Sequence, residues 1–410
     1  MNALPESSLL TEKFAKLGVE SAPGQEGRQQ VDSIDLRGDR IVGTPVDFSH
    51  GDVDAHPPIP GSLELFQRGY EVGGSQAYTE YRGQAAIREQ LAAKLAEFTG
   101  APIDSDSEMI LTPGTQGALF LAMGANIGRG DKVAIVEPDY FANRKLVEFF
   151  EGELVPVGMD YFGTDSGSGI DLLKLGECFR YGVKLFVFSN PNNPTGVVYS
   201  PDEILAIAEL AETHGVRVIV DQLYSRQIFD GVRYTHLRGL DKLNSDNLLT
   251  IIGPSKTESL SGFRLGAAFG SSQMIDRMEK LQAIVSLRAA GYCQTVLANW
   301  FSEPTGWIQA RIAAHQAIRD DIHEAFLRAN GFKLRLGEGG SYLFPQMPEM
   351  DISIGDFVKV LRLQAEVIVT PGTQFGPQFT NSFRINFSQD HTAAVQAIQR
   401  TIEIANRYRV

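Results

Sequence analysis

The chain has 410 residues, 43% of them hydrophobic and 41 of them glycine, which fits a large α/β protein of one unit or two to three packed domains. Its 50 acidic residues outnumber 37 basic ones, giving a net charge of -13. This excludes nucleic acid and anionic membranes as natural partners, while a small anionic ligand held by local arginines stays open. Two cysteines, Cys178 and Cys293, form no CxxC pair, and no apolar run reaches the roughly 20 residues of a membrane helix, so a reducing, cytoplasmic setting is expected.

Residues 1–45 read as an N-terminal arm with a short helix at 8–17 and no signal peptide. The stretch 46–60, V-D-F-S-H-G-D-V-D-A-H-P-P-I-P, is an extended loop because of Pro57, Pro58 and Pro60. Its Asp52, Asp54 and His56 alternate as metal ligands can, but solvated loop acids are the better reading, so no metal is expected. An amphipathic helix follows at 84–98, ended by Gly100 and preceded by Tyr78 and Tyr81 in Y-T-E-Y-R-G.

From residue 108 short apolar runs alternate with helical patterns. Strands are expected at 109–112, 132–136, 154–157, 184–189, 216–220 and 248–252, with helices at 117–127, 141–150, 171–179 and 201–214. Near-continuous apolar strands separated by helices mean a mainly parallel sheet covered on both faces. Functional loops of such a sheet lie beyond the strand C-termini. The polar signatures T-P-G-T-Q, E-P-D-Y, N-P-N-N-P-T-G, D-Q-L-Y and P-S-K all fall there. After residue 270 helices are expected at 272–286 and 305–330. A smaller α/β unit closes the chain, with strands at 332–336, 340–346, 367–370 and 382–387, a helix at 354–364 and a last helix from 391.

These loops carry recognisable chemistry. Lys256 follows a buried strand, where desolvation favours the free amine, a nucleophile suited to a Schiff base with an aldehyde. Arg264, eight positions on, offers a planar fork that matches phosphate oxygens. Gly114-Thr115-Gln116 opens a helix, whose free N–H groups and dipole suit an anion. Asp221 ends the apolar strand V-R-V-I-V-D and needs a cationic partner or a helix N–H. Tyr224 and Asn193 stand within reach of a phenolate oxygen, although a turn asparagine before proline is common.

The ordered set N-P-N-N-P-T-G, D-x-x-Y, S-K, G-F-R-L-G and F-R-I-N-F resembles the class I/II aminotransferase family of fold type I enzymes that depend on pyridoxal 5′-phosphate (PLP), over roughly residues 46 to 405. The resemblance implies a PLP-dependent transferase fold with an arm at 1–45, a large domain at 46–290 and a small domain at 291–410 aided by the arm. It implies that Lys256 holds PLP, Asp221 keeps the pyridinium protonated, and Tyr224 with Asn193 bonds the 3′-oxygen. Arg264 and the amides of Thr115 and Gln116 match the phosphate cup, and Tyr140 matches the stacked aromatic residue. Arg384 matches the α-carboxylate clamp, with Gly51 near it. Tyr78 matches a tyrosine that crosses to the other subunit, which implies a homodimer with shared active sites.

The activity so implied moves an amino group between an amino acid and a 2-oxo acid, with a lyase, decarboxylase or oxidase on the same scaffold as the alternative. A sensor without turnover would need an added DNA-binding domain, for which 1–45 is too short and acidic. Gly253 replaces the serine usual three residues before the lysine, leaving Ser255 as a substitute phosphate donor. Arg288 either binds a second substrate carboxylate or caps a helix end ahead of Gly291.

Overall fold

The computed structural model of the protein describes residues 8–18, 24 and 34–410. Helix α1 (Ser8–Ala15) forms within the expected short helix. Strand β1 (Val46–Asp47) and helices α2 (Ser62–Val72), α3 (Gly74–Ala77) and α4 (Ala85–Thr99) lead to the central sheet. Its strands are β2 (Met109–Pro113), β3 (Lys132–Glu137), β4 (Glu153–Gly158), β5 (Val183–Ser189), β6 (Arg217–Asp221), β7 (Leu248–Ile252) and β8 (Leu265–Gly270). Between them run α5 (Gly114–Asn126), α6 (Phe141–Phe149), α7 (Leu172–Arg180) and α8 (Pro201–His214).

The seven strands lie in the order β2-β8-β7-β6-β5-β3-β4, and only β8 runs antiparallel to its neighbours. Side chains alternate between two cores. Phe186, Phe188, Val218 and Val220 face one, and Leu185, Val187, Ile219 and Ile251 face the other. Period-two alternation within wholly apolar strands thus fills both faces, at about 1.5–3 kcal/mol for each large side chain fully buried. Helix α8 starts on a capping box, Ser200 accepting from the Glu203 N–H while the Glu203 carboxylate accepts from the Ser200 N–H; such caps contribute about 1 kcal/mol.

Strand β8 was not expected from the sequence. L-G-A-A-F-G is poor in strand-forming residues, and pairing with both β2 and β7 overrides that weakness. Its glycine is required: a Cβ on Gly266 would lie 2.6 Å from the Gly114 carbonyl carbon and 2.6 Å from the Thr115 nitrogen. The start of α5 therefore packs directly on β8.

Helices α9 (Ser272–Val285), α10 (Gly291–Gln294) and α11 (Trp307–Arg328) follow, then β9 (Tyr342–Leu343), α12 (Ile354–Ala365), β10 (Val367–Ile368), β11 (Thr370–Pro371), β12 (Phe383–Asn386) and α13 (His391–Arg407). Strands β11, β12 and β9 form a small antiparallel sheet, and β1 pairs with β10. The strand expected at 332–336 is extended chain with a single bridge, Lys333 to Gln346, and only two residues of 340–346 are strand. Pro345 removes a ladder donor there. A separate core joins Val46, Phe48, Phe357, Val367, Phe383, Ile385 and Ile398, with Ile34 and Ile41 packed against it.

Candidate active site

A cavity of about 250 Å³ opens at the C-terminal edge of the central sheet. Its walls come from successive strand ends: Thr115 and Gln116 after β2, Tyr140 after β3, Asn193 after β5, Asp221 and Tyr224 at the end of β6. Ser255 and Lys256 follow β7, Arg264 precedes β8, and Arg384 arrives from β12. Ten residues singled out in the sequence, spread over 270 positions (384 minus 115 plus one), thus share one cavity.

One end is built for an anion. Gly114 has φ +76°, and a Cβ on it would lie 2.6 Å from Arg264 Nη2 and 3.0 Å from Cζ, so glycine lets the guanidinium lie against the first turn of α5. Arg264 itself has φ +54°, a left-handed conformation that costs a non-glycine residue about 1–2 kcal/mol. Its Nη1 donates to the Ser261 carbonyl at 3.2 Å. Ser255 Oγ is buried without a hydrogen-bond partner. A guanidinium, a helix N-terminus and an unpaired hydroxyl together suit a phosphate.

A second end holds two acids, Asp221 half-buried and Asp139 buried. Asp221 borders the cavity, and surrounding protein pushes its carboxyl up to about 6, partly offset by the Leu223 N–H donating to Oδ1 at 3.0 Å. Asp139 is buried behind it, and burial pushes it up to about 7. Asp139 accepts from the Tyr140 N–H at 2.6 Å, from the Ser189 N–H at 2.9 Å and from the Ser189 hydroxyl. Ser189 Oγ in turn accepts from the Asn193 N–H at 3.1 Å. One carboxyl therefore fixes the loops that carry Tyr140 and Asn193.

The roof comes from the C-terminal unit. Arg384 is 2% exposed. Its Nη1 donates to Asn193 Oδ1 at 3.1 Å and its Nη2 to the Ser49 carbonyl at 2.8 Å, while its guanidinium carbon sits 4.4 Å from the Tyr342 ring centroid and 5.0 Å from that of Phe375. Its Nε is buried with no partner. A buried unpaired donor costs about 1–3 kcal/mol, which an arriving carboxylate would relieve. Tyr224 donates to the Tyr342 oxygen at 2.7 Å. Burial raises the Tyr224 phenol; it would raise Tyr342 as well, but Arg384, Lys256 and the Tyr224 hydroxyl outweigh burial there and lower it.

Lys256 stands at a junction. It lines this cavity and a neighbouring one of about 260 Å³, whose wall includes Gly51. Two sequence candidates lie elsewhere. Tyr78 is 81% exposed, and Arg288 lies over it, its guanidinium carbon 5.6 Å from the Tyr78 ring and 5.5 Å from the Tyr81 ring. Neither lines the two cavities at Lys256.

The sequence reading missed His50, Tyr342, Ser189 and Asp139. Asp139 had a signal, an acid beside Tyr140 at a strand end, like Asp221. Tyr342 had none, since G-G-S-Y-L-F carries no motif. His50 borders both cavities, and its ring is held by Asp47 at 3.3 Å and by the Gly51 carbonyl at 3.1 Å. The hydrogen bond to Asp47 raises its pKa against the opposing effect of burial.

Known proteins share this chain's sequence pattern and fold. The family described as aminotransferase class I and II matches residues 46–400. An aspartate aminotransferase crystal structure from Rhodobacter sphaeroides is 57% identical, with a TM-score of 0.93, covering 98% of this chain and 100% of that one. An aspartate aminotransferase of Sulfolobus acidocaldarius is 28% identical over 82% of this chain and 84% of its own length. A probable aspartate aminotransferase of Methanocaldococcus jannaschii is 27% identical over 82% and 87%. The chain therefore belongs to the class I and II aminotransferase family, and it is an enzyme that moves an amino group between an amino acid and a 2-oxo acid.

Proposed function

We propose that the cavity at the sheet edge holds pyridoxal 5′-phosphate and that Lys256 carries it. One observation supports this above the others: Lys256, the half-buried Asp221 and the Gly114–Arg264 cradle border a single space. The orphaned Ser255 hydroxyl and the steric need for Gly114 fit a phosphate at one end. Asp221, raised by burial, fits a pyridinium at the other, because a cation relieves the burial of its charge. When bound, the cofactor supplies an electron sink that stabilises negative charge at the substrate α-carbon.

The chain's own groups do the rest. Lys256 Nζ, once displaced by the amino acid, is placed to take the proton from the substrate α-carbon and return it two bonds away, as general base and acid. Asp221 holds a counter-charge at the ring nitrogen. Tyr224 and Asn193 orient the 3′-oxygen, Tyr140 covers a ring face, and Gln116, Thr115 and Arg264 hold phosphate. Arg384 receives the α-carboxylate, with Gly51 closing that side.

The 57% identity to an aspartate aminotransferase points to an acidic amino acid as donor. Arg384 takes one carboxylate, and a second guanidinium is then needed. Arg288 rests on Tyr78, so if Tyr78 crosses into the site of a second copy, Arg288 goes with it. The exposed apolar residues nearby, Leu63, Tyr70, Val72, Ile284 and Leu287, suit the homodimer interface this requires. The domain division at 1–45, 46–290 and 291–410 and a cytoplasmic setting complete the proposal, with residues 34–48 packing on the small domain.

A donor panel tests the reading. Purified protein with PLP and 2-oxoglutarate is assayed for glutamate formed from aspartate, from an aromatic and from an aliphatic amino acid. Amino transfer favouring aspartate is expected. Keto acid or ammonia released without amino transfer would overturn it.

A further inference from the structure

Resting on the cofactor reading above, we propose that Tyr342 and Tyr224 share one spare proton, which serves the cofactor 3′-oxygen while Arg384 is empty and turns to the substrate carboxylate when Arg384 is filled. Tyr342 lies opposite Asn386 in the pairing of β9 with β12. Arg384, two residues before Asn386, shares that face of β12, and its guanidinium carbon sits 4.4 Å from the Tyr342 ring centroid. Gly340, at φ +71°, lets the chain before Tyr342 lie on Tyr224, since a Cβ there would be 3.2 Å from Tyr224 Cγ. The two rings then meet edge to face at 5.2 Å. Both residues are 4% exposed and line the cavity, and their oxygens lie 2.7 Å apart.

A phenol carries one proton. The pair has two, and the bond between the oxygens uses one. Among the described residues neither hydroxyl has another hydrogen-bond partner, so one proton is left for whatever enters the cavity. Two acceptors compete for it: the 3′-oxygen beside Tyr224, and a carboxylate on Arg384, whose buried Nε lacks a partner. Serving the first requires Tyr342 to donate to Tyr224. Serving the second reverses that bond, by rotation of two hydroxyls. The other charged or titratable groups facing Tyr342 are Lys256, Asp221 and Tyr140, and none of them bonds to either hydroxyl. Tyr342 is therefore a positioning residue that links the two ends of the cavity. Filling Arg384 withdraws a donor from the 3′-oxygen, so the Lys256 nitrogen bonded to the cofactor holds its proton more tightly.

The experiment uses the PLP-loaded protein with succinate, a carboxylate probe that has no amino group to react. The pH midpoint of the cofactor absorbance is read with and without saturating succinate. Succinate should raise the midpoint in wild type, partly by cancelling the Arg384 charge. Tyr342→Phe keeps the ring beside Arg384, and there the rise should be about one pH unit smaller, the scale of a hydrogen bond to a charged group. By linkage, Tyr342→Phe should bind succinate about tenfold more weakly below the midpoint and about equally above it. Tyr224→Phe should raise the midpoint without succinate and show the same reduced response to it. Melting curves of each variant separate misfolding from lost coupling. Equal succinate responses in wild type and Tyr342→Phe would overturn the proposal. So would a tenfold loss of succinate affinity at every pH, which would make Tyr342 a plain contact. A wild-type protein that gains no visible absorbance with PLP overturns this proposal together with the cofactor reading; normal absorbance with equal succinate responses overturns this one alone.

Discussion

The strand-end cavity and the Tyr78–Arg288 face are built in opposite ways. The cavity draws on strand ends that hydrogen bonds and two apolar cores hold in register, so its side chains have no freedom to drift. Tyr78 and Arg288 stand on a surface of short helices and turns, Tyr78 exposed, Arg288 half-buried, the two touching each other. The first region is assembled within one chain; in the proposed reading the second serves the site of another copy. Changes in the cavity should therefore act on every site by themselves, whereas changes on the exposed face should act on the neighbouring subunit's site.

The largest expected effect is at Lys256. Lys256→Ala would remove both the proposed cofactor attachment and the proposed proton carrier, so kcat/KM should fall by roughly 10⁵-fold, as when a central catalytic group is lost; a fall under a hundredfold would contradict its role. Asp221→Ala comes next. Turnover should drop by about 10³-fold, the scale of a lost preorganised charge, while some PLP still binds through Lys256 and the phosphate cup. Activity within tenfold of wild type would separate Asp221 from the reacting ring. Arg384→Ala should raise KM about a hundredfold for all amino donors alike, since removing one partner of a buried charge pair costs about 2–5 kcal/mol. A loss confined to acidic donors would move the α-carboxylate elsewhere.

The exposed face answers to a mixing experiment. Chains carrying Tyr78→Phe with Arg288→Ala are combined with Lys256→Ala chains to give hybrid dimers. One composite site should hold all defects and the other none, restoring about half of wild-type activity per hybrid and about a quarter in an equimolar, randomly exchanged mixture. No recovery on mixing would confine both residues to their own subunit's surface.

The smallest effect concerns pH. Burial raises Asp221 to about 6 in the folded chain, above the unfolded carboxyl value of 3.8. The folded state then holds the proton more tightly, so this contribution to stability is complete below about pH 4 and is lost as pH rises through about 6. Asp139 behaves likewise, up to about 7. In urea titrations of apoprotein at pH 5 and pH 8, Asp221→Asn should lose about 1–3 kcal/mol less than wild type between the two. An identical pH dependence in both proteins would place Asp221 in contact with a charge partner of its own.

The sequence made much of the cavity legible because the motifs of Thr115, Tyr140, Asn193, Asp221 and Lys256 each follow or close a strand, and alternating apolar strands with helices imply a mainly parallel sheet with its loops at one edge. For Lys256, Asp221 and Asn193 strand-end position gave the place, and the ordered set of motifs gave the role. Strand β8 was hidden because its glycines and alanines are chosen for close packing on α5, not for strand propensity. Tyr342 was hidden because it reaches the cavity through tertiary packing on Tyr224 and Arg384 across the small sheet. The arginine stacking of Arg288 on Tyr78 was equally out of reach, since no local pattern links residues 210 positions apart.

The claim at the centre of this account is that Lys256 bears the cofactor. Borohydride reduction of the PLP-loaded protein, followed by proteolysis and mass mapping, tests it directly. The account predicts a pyridoxyl group on Lys256, at about one per chain. A label on any other lysine, or none after loading, would contradict it.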